Sequence, residues 1–146
     1  KIYSAGEFLV GLYLCLFDLD DEIEGVEIGS YADFNGLREF VNKELEKGDF
    51  GIKYPTFLIH SDSDGEWSVS DCKKLREELS EIILKMKERA PVSFITESQK
   101  CVASSIGLIP KNAYESFVDV DGEFVLERIY NLVELALQRQ LPVLFQ

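Results

Sequence analysis

Nine consecutive residues, Leu9–Phe17 (LVGLYLCLF), carry no charged side chain. A strand of that composition has no face to offer water, so it is expected inside a sheet buried on both sides. Ile23–Ile28 predicts a short second strand. Ser30 is placed to cap a helix in which Phe34, Leu37, Val41 and Leu45 recur at helical spacing until Gly48 stops it. Lys53–His60 (KYPTFLIH) predicts another strand. Ser68, with Asp71 three residues on, forms a capping box for a second helix. Leu75, Leu79, Ile82, Ile83 and Met86 make the buried stripe of that helix, and Lys73, Lys74, Arg76, Lys85 and Lys87 solvate the rest. Pro91 ends it. Val92–Ile95 then predicts a third main strand, and Glu97–Ile106 a helix with Gly107 as its left-handed stop. Ser116–Val120 (SFVDV) predicts a strand closed by the Asp121-Gly122 turn. The apolar positions from Phe124 to Ala136 predict a long last helix before a final strand at Val143–Phe145.

Strands alternating with helices define an α/β protein with a mainly parallel or mixed sheet of about five strands and flanking helices. At 146 residues, with no linker or low-complexity stretch, 9–146 is expected to be a single domain. Lys1–Phe8 (KIYSAGEF) reads as a tag or a disordered N-terminal extension.

Charge is unevenly distributed. Fifteen of the 27 acidic residues fall in Asp18–Glu27, Asp62–Asp71 and Glu115–Glu127, three stretches with no Lys or Arg, and the net charge is -12. Each stretch follows, or overlaps the end of, a predicted strand. In a parallel sheet, right-handed crossovers put the strand-to-helix loops on one edge, which would gather the three into one acidic rim. Such a rim steers cationic partners. The candidate partner-binding residues are therefore Asp18, Asp20, Asp21, Glu22, Asp62, Asp64, Glu66, Trp67, Asp119, Asp121 and Glu123. A basic protein suits this surface, whereas nucleic acid and anionic membranes are disfavoured as partners. Cys15, Cys72 and Cys101 are an odd, widely spaced set without a CxxC pair. That argues against a disulfide framework or a zinc site and for the cytoplasm. No apolar run is long enough to span a membrane, and no signal-peptide pattern is present.

Two segments echo one another, Asp62-Ser63-Asp64-Gly65-Glu66-Trp67 and Asp119-Val120-Asp121-Gly122-Glu123-Phe124. Asp-Gly turns and acids at helix starts explain both without a ligand. Placing Gly65 at the sixth position of a calcium loop sets His60 first and Asp71 twelfth, a poor ligand set. Leu14–Asp20 (LCLFDLD) ends in a D-x-D that resembles the nucleophile motif of haloacid-dehalogenase-type phosphatases, but Glu22 stands where a small residue is usual in that family. A metal-dependent hydrolase or phosphotransferase using these D-x-D loops is the alternative reading of function. His60, the sole histidine, lies beside Ser61, Asp62 and Asp64, with no signature of a nucleophile or an oxyanion hole. Trp67 is expected to pack in the core or, alternatively, to anchor a partner. No catalytic residue, metal ligand or cofactor is assigned, and the chain is expected to lack enzymatic activity.

Gly29-Ser30-Tyr31-Ala32-Asp33-Phe34, Tyr54-Pro55-Thr56, His60-Ser61-Asp62-Ser63-Asp64-Gly65-Glu66-Trp67-Ser68, Asp119-Val120-Asp121-Gly122-Glu123 and the Pro142–Gln146 ending together resemble the immunity protein 70 family of bacterial polymorphic toxin systems. The similarity runs from about Leu12 to the C-terminus. It implies a small cytoplasmic protein that binds and neutralises a cognate toxin. It assigns no contact residues. Nuclease toxins bind a polyanion and are cationic, so an acidic surface fits a nuclease partner.

Overall fold

The chain turns back on itself after its first strand, and this sets the topology. The computed structural model describes residues 11–94 and 96–146. β1 (Gly11–Asp18) and β2 (Asp21–Ser30) form an antiparallel hairpin whose register runs from Gly11 opposite Ser30 to Asp18 opposite Asp21. Only Leu19 and Asp20 separate the strands, too few residues for a parallel crossover. β3 (Glu66–Trp67) and β4 (Val143–Phe145) complete a sheet of order β2-β1-β4-β3, with every pairing antiparallel. The expectation of a mainly parallel or mixed sheet of about five strands is therefore corrected to four antiparallel strands.

Two expected strands are absent for identifiable reasons. Within Lys53–His60, Pro55 opens a helical turn, α2 (Pro55–Leu58), where its fixed φ and missing N–H suit the first helical position. The segment's backbone donors go to carboxylates instead of a neighbouring strand. Glu46 Oε2 accepts from the N–H of Lys53 and of Tyr54, at 2.9 Å each, and Glu78 accepts from Thr56 N and Phe57 N. Residues 92–94 form no strand, and the Val92 N–H donates to Ser116 Oγ. Ile95, the end of that expected strand, and Leu9 and Val10, the start of the first, lie outside the described residues, as does the 1–8 extension. Ser116–Val120 contributes one isolated bridge, Val118 to Phe124.

The long helices follow their caps. α1 (Tyr31–Leu45) and α3 (Val69–Lys87) both begin with complete capping boxes, Ser30 with Asp33 and Ser68 with Asp71. α4 (Glu97–Ile106) starts at Thr96 and stops at Gly107, whose φ of 67° is left-handed. α5 (Val125–Arg139) packs along α3 and reaches β1, β2 and β4. Leu12, Leu14 and Leu16 of β1 join Phe34 and Leu37 of α1, Leu75 and Leu79 of α3, and Ile129 and Val133 of α5 in one core.

Candidate functional site: the acidic loops

The antiparallel register separates the acidic stretches that a parallel sheet would have gathered. Asp18, Asp20, Asp21 and Glu22 occupy the β1–β2 turn and are exposed. The other two stretches lie toward the opposite end of the hairpin, where Gly11 meets Ser30. Phe145 N donates to Gly65 O, and Gln146 pairs with Tyr13, which sets Asp62–Gly65 on that side at the β3 edge. Asn35, in the second turn of α1, donates to Asp62 at 2.7 Å. On the other flank, Val120 N donates to Glu27 O on the outer edge of β2. The single rim expected from the sequence is thus corrected to separate acidic loops: one at the hairpin turn and two toward the far end, beside opposite edges of the sheet.

At the turn, Tyr13 lies across Gly25, whose missing Cβ leaves the room, and donates from its phenol to Glu22 Oε1 at 2.8 Å. Burial and the Glu22 carboxylate push that phenol's pKa well above its ordinary value. Arg139, closing α5, approaches Asp18 at 3.8 Å.

The 59–66 loop is held from inside. Arg38 is buried on α1, lies 4.9 Å from the Phe34 ring centroid, and donates through Nη2 to the Leu58 and His60 carbonyls. Its Nε and Nη1 have no hydrogen-bond partner among the described residues. Burial lowers its pKa, and the Asp62 charge acts the other way. His60 stacks on Phe145, and its two ring nitrogens face the Ser61 and Glu66 carbonyls at 2.8 and 2.9 Å. Trp67 is 1% exposed, packs against Phe57 and Phe145, and donates from its indole to the Thr56 carbonyl. It is a core residue and presents no surface to a partner, which removes it from the candidate contact set. Asp62 is half-buried, while Asp64 and Glu66 are exposed.

In the third loop, Asp119 is buried and organises the turn. Its Oδ1 accepts from Asp121 N and Glu123 N at 2.9 Å each, and its Oδ2 faces Arg128 at 3.2 Å. Burial raises its pKa, opposed by the Glu123 N–H and by Arg128. Asp119 is therefore structural, whereas Asp121 and Glu123 are exposed. Beside this loop lies a cavity of about 390 Å³ between α4, the end of β2 and residues 118–121. Neither it nor the Arg128 pairing has a sequence signature. Arg38 does have one, since it falls among Phe34, Leu37 and Val41 on the apolar face of α1.

Among the described residues, no group of three or more His, Cys, Asp or Glu is arranged to hold a metal ion. Asp18 ends β1 at the hairpin and Asp20 lies in its two-residue turn, so neither ends a parallel strand. Among the described residues, no helix is long and apolar enough to cross a membrane. No curated protein and no solved structure matches the chain. Residues 12–145 match the family model described as Immunity protein 70, a description that implies a role against toxins and a protein partner. With nearly its whole length covered by that match, the chain belongs to the immunity protein 70 family.

Proposed function

We propose that this protein neutralises a cognate toxin by binding it, without chemistry of its own, and that exposed carboxylates of its acidic loops meet a basic toxin surface. The observation that supports this is the charge segregation: a net charge of -12 with fifteen acids in stretches free of Lys and Arg. Asp20, Asp21, Glu22, Asp64, Glu66, Asp121 and Glu123 are all exposed. A nuclease suits such a surface, because a site built for phosphates attracts carboxylates too. The proposed compartment is the cytoplasm, where thiols such as Cys72 and Cys101 stay reduced.

The test is association kinetics with the toxin domain encoded beside this gene. Because the acidic loops lie at two ends, paired reversals separate them: Asp20→Lys with Asp21→Lys at the hairpin turn, and Asp64→Lys with Glu66→Lys at the far end. At low salt, reversal at the contacting end should slow association by about tenfold or more. Unchanged rates for both pairs, and for Asp121→Lys with Glu123→Lys in the third loop, would refute the acidic contact. No binding by the native protein would refute immunity to that toxin.

A further inference from the structure

The geometry points to the cavity between α4 and the 118–121 turn as a receptor for an arginine side chain projecting from the partner. This rests on the reading of the chain as a binder of a basic protein. Ile28, Val102, Val118 and Val120 supply apolar walls that suit an aliphatic stem. Among the described residues, every ionisable side chain lining it is acidic, namely Glu27, Asp33, Asp119 and Asp121. Asp33 is internally satisfied, accepting from Ser30 N at 2.9 Å and from Thr96 Oγ1 at 2.6 Å. The other carboxylates are less so. Asp119 is 2% exposed, its Oδ1 accepts from Asp121 N and Glu123 N, and its Oδ2 is met, among the described residues, by Arg128 alone. Arg128 stands 3.2 Å from Asp119 and 3.7 Å from Asp121, so one cation serves two anions. Glu27 has no ion-pair partner among the described residues. The site thus keeps uncompensated negative charge around an apolar hole.

Volume and setting fit an anchor. A cavity of about 390 Å³ falls within the usual range for binding pockets. Val120 and Ile106, 49% and 53% exposed, put apolar surface beside it. The Ile106 side chain reaches the turn, since a Cβ added at Gly122 would lie 3.0 Å from its Cδ1. A pocket with apolar walls and exposed apolar surface beside it is a setting in which a side-chain anchor contributes to protein–protein affinity. Arginine is the anchor that uses both parts, through its stem and a weakly hydrated planar cation.

The experiment titrates N-acetyl-arginine amide into the isotope-labelled protein while following backbone amide resonances, with N-acetyl-citrulline amide as the uncharged shape control. Saturable millimolar shifts confined to Gly29, Gln99, Val102 and Val120 are expected, with citrulline weaker by about tenfold, the value of one charge-assisted contact. Val102→Trp should abolish the shifts by filling the hole. Asp121→Asn, at an exposed position that leaves the core untouched, should weaken binding about threefold, as for a surface ion pair. No localised shift, or citrulline equal to arginine, overturns the proposal. That result would leave toxin binding through another surface intact, whereas failure to bind the toxin would leave these shifts unaffected.

Discussion

Replacing Glu46 should reveal how a single buried carboxylate holds the segment that carries the 59–66 loop. Glu46 is 4% exposed at the end of α1. Its Oε1 accepts from Asn42 Nδ2 at 3.1 Å and Gly51 N at 2.8 Å, and its Oε2 accepts from Lys53 N and Tyr54 N at 2.9 Å. Burial alone would raise its pKa, but these donors outweigh that and hold it below the ordinary carboxylate value. In Glu46→Gln one oxygen becomes an NH₂ group, so either the Gly51 or the Tyr54 donor faces another donor. Both of those residues are buried. A buried unsatisfied N–H costs about 1–3 kcal/mol, and the lost bonds to a charge add to this. Removal of the carboxylate's own desolvation cost offsets part of it, leaving about 2–4 kcal/mol at pH 7. Urea denaturation measures this directly.

The pH dependence supplies a second check on the same residue. A carboxylate whose pKa is depressed by folding contributes fully above its unfolded value, near 4.5, and loses that contribution as pH falls through the lower folded value. The gap between the native protein and Glu46→Gln should therefore narrow in acid. A loss below about 0.5 kcal/mol at pH 7, the usual size of a neutral surface change, would refute the reasoning, as would a gap that stays constant into acid.

Two further outcomes follow from the geometry. Leu19 is 94% exposed at a left-handed φ of 58°, so Leu19→Gly should raise stability by about 0.5–1 kcal/mol in thermal unfolding, the strain relieved exceeding the entropy glycine adds to the unfolded chain. An aromatic disulfide reagent at pH 8 should titrate Cys101 in the folded protein, while Cys15 and Cys72 react only after denaturation; both are buried, and burial pushes the Cys72 thiol up to about 11.

The parts of this fold that the sequence made legible are those encoded within a few residues. Ser30 and Ser68 cap helices because their partners, Asp33 and Asp71, lie three positions on, and Gly107 stops α4 by conformation alone. What could not be read depended on distant groups. Tyr54, Thr56, Phe57 and Ile59 carry strand preferences, yet Glu46 and Glu78 claim the backbone donors that would have paired a strand. The Leu19-Asp20 turn lacks the Asn-Gly or Asp-Gly signature of a hairpin, so the reversal that makes the sheet antiparallel was invisible. That one turn also decided the candidate site. The acidic residues were identifiable from composition, but their grouping depended on strand direction. Asp119 resembled a surface candidate by sequence neighbourhood and proved to be interior, while Trp67 took the core place expected of it ahead of a partner-anchoring role.

The length of the hairpin has an electrical consequence. Its turn carries carboxylates to one tip, and β1 spans eight residues, so the other tip lies roughly 25 Å away. Physiological salt screens charge over about 8 Å. A cation arriving at either tip is therefore blind to the opposite one, and the molecule behaves as two local attractors without the long-range torque of a dipole. Encounter can begin at either tip, but only short-range shape can fix the final pose.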